Sequence, residues 1–275
     1  MKQVLGYDTE NLKDRRARGA LFLLCGMAFL GSAVYFFVLE RSQSAVLSLL
    51  FLLLLFLIPK SEQLLGLQIP PLTFVLILFL MLGSLLGSGY NFYILIPFWD
   101  TILHTLSGLL FACIGYAICN LLFTKRENRS EFPYIFVGIL FSLAVALLWE
   151  LFEAGATRFL AVDMQEDTLV YNIKSFYLSG THDHATYIAD IKETVIRYGD
   201  GRELRLAGYL DLGLADTLGD MAVCVPGNIL FLLLFPIDRR LGGRLLPHLL
   251  PRRVTPLFSR GRKNGEAAVS DRPSE

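Results

Sequence analysis

Six apolar runs, each closed by polar or helix-breaking positions, divide the chain at 20–39, 42–58, 71–90, 99–123, 132–153 and 214–237. A helix crossing a bilayer needs about 20 mostly apolar residues, with a range of about 17–25, so every run is read as a membrane-spanning helix. The second is the shortest, set off by Arg41 before it and Pro59-Lys60 after it. In the third, Gly83 and Gly87 recur at i, i+4 with Ser84 and Ser88 on the adjoining stripe, which predicts a face for close helix packing. Pro226-Gly227 predicts a kink or local unwinding in the sixth.

The polar stretch 154–213 is too long for a simple connection. Within it, residues 194–198, the Gly199-Asp200-Gly201 turn and residues 203–206 read as a β-hairpin. The expected fold is an all-α integral membrane protein. A cytoplasmic segment 1–19 precedes five spans within 20–153, an extracytoplasmic loop with the hairpin fills 154–213, and span six at 214–237 leads into a basic, partly disordered tail at 238–275. Residues 21–30, followed by Gly31-Ser32-Ala33, offer a signal-peptide alternative for span one. The apolar run continues through Tyr35, Phe36, Phe37 and Val38, which favours a retained helix.

Composition agrees with the spans: 54% of the 275 residues are hydrophobic and 18% charged, with mean hydropathy +0.52, where soluble domains average about 25% charged. Lys plus Arg and Asp plus Glu number 25 each, a zero net charge that argues against nucleic acid as a partner. Cys25, Cys113, Cys119 and Cys224 all lie in apolar runs without a CxxC pair and read as small buried hydrophobes.

The basic residues set an expected direction. With the N-terminus inside, 18 of the 25 fall on the inner side, and the short outer connections hold only Arg41. Both termini are therefore expected in the cytoplasm. Nine basic residues follow residue 237. They could attract anionic lipid, but the favoured reading is an ordinary positive-inside flank with a disordered end. His182-Asp183-His184 in the long loop is capable of binding metal, but two histidines on a polar loop specify no geometry.

Ionisable groups within spans cost about 2.5–3.5 kcal/mol each at mid-bilayer and point to function by default. Three pairs stand out: Asp100/His104 opening span four, Glu150/Glu153 closing span five, and Asp216/Asp220 opening span six. Spacings of three and four residues put each pair on one helix face. The expected direction of the spans places all three pairs at the outer end of the membrane. Asp100, Glu153 and Asp216 form a shallow layer, with His104, Glu150 and Asp220 about one turn deeper. These three spans hold no Lys or Arg, so protons, a bound cation or interfacial water must neutralise the acids. Carboxylate oxygen with one imidazole suits Mg²⁺, Mn²⁺, Fe²⁺ or Zn²⁺. Asp100 and Asp216 also have a structural reading, as acids near helix starts.

The order D-x3-H-x3-G, W-E-x2-E and D-T-x2-D with a later glycine, at Asp100, His104, Gly108, Glu150, Glu153, Asp216, Asp220 and Gly227, resembles the YjdF-like bacterial inner-membrane proteins. More distantly it is similar to VanZ-like membrane proteins. The stretch 208–214 resembles a variant with an extended outer loop. The resemblance runs from about Trp99 to Phe235. It implies a bacterial plasma membrane and supports the same polar set, without implying a reaction.

Three classes of function use this set. As a metal-dependent hydrolase or lipid- or envelope-modifying enzyme, the protein would hold a divalent metal on His104, Glu150, Asp216 and Asp220, with Glu153 or Asp100 as general base. As a transporter, it would use the same acids as a proton or cation relay. As an accessory protein, it would use them as structural glue. Membrane lipid is the expected surrounding partner in every case. No nucleophile elbow, zincin pair, P-loop or dinucleotide fingerprint is present.

Overall fold

A computed structural model describes residues 12–123, 130–159, 163–181 and 183–253. In chain order the helices are α1 (Leu12–Val38), α2 (Ser42–Leu65), α3 (Pro71–Gly89), the single turn α4 (Phe92–Leu95), α5 (Trp99–Leu122), α6 (Phe132–Phe159), α7 (Leu214–Arg240) and the single turn α8 (Leu246–Leu249). Among the described residues, six of these are long and apolar enough to cross a membrane: α1, α2, α3, α5, α6 and α7. Large apolar side chains stay exposed along them, with Phe37 at 78%, as expected of helices whose solvent is lipid.

Helix ends depart most from the sequence reading in three places, the first being α1, which starts at Leu12 rather than at residue 20. α2 continues through Pro59 to Leu65, because Pro59 and Glu62 are both buried and packing holds the helix beyond the proline. α6 continues past Glu153 to Phe159, which places an exposed Arg158 on the helix. Of the kink or local unwinding expected at Pro226-Gly227, the unwinding does not occur. α7 is helical without a break from Leu214 to Arg240, with Pro226 and Pro236 inside it.

The strands are short: β1 (Leu67–Gln68), β2 (Thr168–Val170), β3 (Ile173–Ser175), β4 (Thr186–Ile188), β5 (Thr194–Arg197), β6 (Glu203–Leu206), β7 (Tyr209–Asp211) and β8 (Arg252–Arg253). All pair two by two and antiparallel. The expected hairpin is β5–β6, with Thr194 opposite Leu206 and Arg197 opposite Glu203. Its turn is closed by Gly201 at φ +87°, whose N–H donates to the Tyr198 carbonyl at 3.0 Å. The pairs β2–β7 and β3–β4 are additional to the expected hairpin.

The chain divides into two compact units, Met1–Leu143 with Cys224–Glu275 and Ala144–Val223. In the first, α1, α2 and α3 enclose a core around Phe29, Phe36, Leu55, Phe74 and Leu85. A second core joins Ala112, Tyr116, Tyr134, Phe231 and Phe235 to Leu249 and Leu250. The stretch after α7 is thereby folded as far as Arg253: Asp238 Oδ1 accepts the N–H groups of Leu245 at 2.6 Å and Leu246 at 3.0 Å, and β8 pairs with β1. The rest of the basic tail lies outside the described residues, as does His182. Asp183 and His184 are exposed, 4.0 Å apart.

The stripe of small residues on α3 meets neighbours as its spacing predicts. A Cβ at Gly83 would come within 2.5 Å of Leu103, and one at Gly87 would strike the Tyr93 ring. α1 and α2 are tied by a buried ion pair. Arg18 Nη2 donates to Glu62 Oε2 at 2.7 Å, Ile69 N–H donates to Glu62 Oε1 at 2.7 Å, and the Arg18 guanidinium lies 4.5 Å from the Phe74 ring centroid.

Candidate carboxylate centre

In the unit 144–223, the i, i+3 spacing of Glu150 and Glu153 carries both acids to one face of α6, and Asp220 comes from α7. One oxygen of each lies within 4.8 Å of the others. All three are largely buried, at 3%, 9% and 8% exposure.

The insertion fixes the start of α7 and so positions Asp220. β7 ends at Asp211, whose carboxylate accepts the Ala215 N–H at 2.6 Å and satisfies a donor in the first turn. Gly213 follows at φ +81°, and a Cβ there would sit 2.6 Å from Gln165. Gln165 Nε2 donates to Thr217 Oγ1 at 2.7 Å, and Asp216 Oδ2 accepts the Glu166 N–H at 3.0 Å. Asp216, read as a ligand or a cap, therefore binds the backbone of the insertion. In the sequence, Asp211 and Thr217 stood only within the 208–214 stretch and the D-T-x2-D pattern, with no role given to either, and Gln165 carried no signal.

In the other unit, Asp100 and His104 meet across one turn of α5, with Oδ1 and Nε2 3.4 Å apart. The helix start is held without a side-chain cap. Its N-cap residue Phe98 has φ +66°, and Trp99 Nε1 donates to the Gly83 carbonyl at 3.0 Å. A bulky residue at positive φ is a strained conformation that surrounding structure must impose. The His104 carbonyl accepts from Ser107 Oγ at 2.8 Å and from Cys224 Sγ at 3.5 Å.

The two glycines of the sequence pattern have a packing explanation. A Cβ at Gly108 would lie 2.5 Å from the Cys224 carbonyl oxygen, and one at Gly227 would overlap the Thr105 carbonyl. They let α5 and α7 touch backbone to backbone. Within the unit 144–223, Glu150, Glu153 and Asp220 form one group and Asp216 binds the insertion; within the other unit, Asp100 and His104 form a pair.

Six apolar spans, with buried acids on three of them, α2, α6 and α7, define a polytopic helical membrane protein. A family described as "Predicted membrane protein (DUF2238)" matches residues 20–240, and the chain belongs to that family, in accord with its resemblance to YjdF-like proteins. No curated protein and no solved structure matches it.

Proposed function

We propose that this protein is a divalent-metal-dependent membrane enzyme, a hydrolase or lipid-modifying enzyme, whose metal is held by Glu150, Glu153 and Asp220. The observation that carries the reading is the mutual approach of these three carboxylates, within 4.8 Å, on two membrane-spanning helices. Like charges gathered at that distance oppose one another's ionisation, and a hard divalent cation on oxygen donors relieves that opposition. When bound, such a metal would activate water or polarise a phosphoryl or carbonyl oxygen. Glu153, the ligand at the end nearer the insertion, suits the role of general base toward that water through its second oxygen. The i, i+4 Asp100–His104 contact gives the imidazole a carboxylate that orients it, the chemistry of a proton carrier.

The distribution of Lys and Arg supports a plasma-membrane orientation with both termini in the cytoplasm and the carboxylates toward the outside. The site would then face lipid headgroups and envelope precursors. The bacterial setting comes from the resemblance. A transport role draws on the same acids, but the interrupted helix typical of such sites is not found in α7.

The test is elemental mass spectrometry on protein purified in mild detergent without chelator. One or two metals per chain, lost in Glu150→Gln and Asp220→Asn but kept in His104→Ala, is the result expected of the three-carboxylate group. Absence of metal from wild type, even after reconstitution with Mn²⁺, Fe²⁺ or Zn²⁺, overturns the reading.

A further inference from the structure

A groove of about 370 Å³ runs between α1 and α3, in the unit that does not hold the three carboxylates. Its walls are apolar, with Met27 and Gly31 on one side and Leu82 and Leu86 on the other. One end is polar. There Ser32 Oγ and the Tyr90 hydroxyl lie 3.0 Å apart. The volume and the sparse polar placement are those of a ligand site, which typically measures about 300–1,000 Å³.

Tyr90 connects this groove to a cation. Its hydroxyl reaches Ser32, while its backbone adjoins Gly89, whose carbonyl accepts from Arg41 Nη1 at 3.1 Å. Phe36 packs between them, its ring centroid 5.0 Å from that of Tyr90 and 5.5 Å from the Arg41 guanidinium. Arg41 is exposed in the short turn between α1 and α2, the level at which two membrane spans meet headgroups. Among the described residues it is held by the Gly89 carbonyl and the Phe36 ring, and no carboxylate forms an ion pair with it.

We propose that this groove binds one anionic phospholipid of the bilayer. An acyl chain lies along Met27, Gly31, Leu82 and Leu86. The ester region hydrogen-bonds the Ser32–Tyr90 pair, and the phosphate faces Arg41. Charge selects the occupant: an apolar groove alone takes any lipid, whereas a cation at its headgroup end favours an anionic one.

Gly31 provides the test, because it lines the groove and a Cβ there meets nothing within 4 Å, so a larger side chain is expected to occupy the groove. Native mass spectrometry of the full chain, delipidated and then supplied with phosphatidylglycerol or phosphatidylcholine of the same acyl chains, reads retention directly. Wild type is expected to keep one phosphatidylglycerol with about a fivefold preference. Arg41→Gln should abolish the preference, Arg41→Lys should largely keep it, and Gly31→Leu should abolish retention of both lipids. Equal retention of the two lipids by wild type, retention of neither, or undiminished phosphatidylglycerol on Gly31→Leu overturns the proposal. Should Arg41→Gln fail to fold, Gly31→Leu decides alone. Metal content is not part of the readout, so failure here leaves the carboxylate reading standing.

Discussion

Two clusters of buried charge differ in kind. Arg18 and Glu62 are opposite in sign, meet at 2.7 Å, and each also hydrogen-bonds the backbone of Ile69. Glu150, Glu153 and Asp220 are alike in sign and gather within 4.8 Å. The first arrangement is complete as a structural element, because each charge meets its complement inside the fold. The second costs stability wherever the acids are ionised together with no proton or cation among them. Opposite charges buried together thus argue for architecture, and like charges buried together for a ligand or a proton.

Breaking the architectural pair should produce the largest effect. Glu62→Ala leaves Arg18 buried without its carboxylate and is expected to cost about 3–5 kcal/mol, seen as loss of monodisperse protein or a large fall in Tm in detergent. The double variant Arg18→Met with Glu62→Leu should recover most of that loss, since well-packed apolar replacements of a buried pair are often neutral. If the double variant is as damaged as the single one, Arg18 and Glu62 do more than hold helices.

The carboxylate group should behave in the opposite sense. Glu150→Gln or Asp220→Asn removes one of three like charges and is expected to leave Tm in chelator unchanged or higher. Added Mn²⁺ or Zn²⁺ should raise the wild-type Tm, by an amount equivalent to about 2.7 kcal/mol at a hundredfold excess over Kd, and should not raise it in the variants. A destabilised Glu150→Gln protein in chelator would place this group with the Arg18–Glu62 pair and remove the contrast.

The third effect separates charge from packing along α7. Gly227→Ala forces a Cβ onto the Thr105 carbonyl and should cost about 1–3 kcal/mol, as overpacking does. Gly219→Ala, beside Asp220, meets nothing within 4 Å and should be neutral or slightly stabilising through helix propensity. Equal losses at both positions in thermal melts would mean that the helix near the acids is as closely packed as the helix near Gly227.

These sites differ in how visible they were in the sequence. Long apolar runs mark spans because about 20 such residues have few other uses, and acids inside those runs stand out against them. The spacing of Glu150 to Glu153 is local, so their shared face followed directly. Arg18 and Glu62 looked like ordinary flanking charges, since their pairing joins positions 44 apart and depends on how α1 and α2 pack. β2, β3, β4 and β7 are three residues each, too short to show alternation. Glycines 108 and 227 were legible as a pattern, but the reason for them, backbone contact between α5 and α7, required coordinates.

The smallest effect tests how far the architectural side of the contrast reaches. Thr73, fully buried on α3, donates its hydroxyl to the carbonyl of Leu249 on α8, so the chain after α7 is fastened to α3, which packs against the helices that carry Arg18 and Glu62. Thr73→Val keeps shape and apolar contact and leaves one buried carbonyl without this donor. The expected cost is about 1 kcal/mol, with hydrogen exchange raised locally at 245–253 and unchanged at Ile69. A rise at Ile69 as well would join the Arg18–Glu62 pair and the post-α7 segment into one cooperative element. Among the described residues, Glu150, Glu153 and Asp220 would then be the buried charges whose removal leaves that element intact.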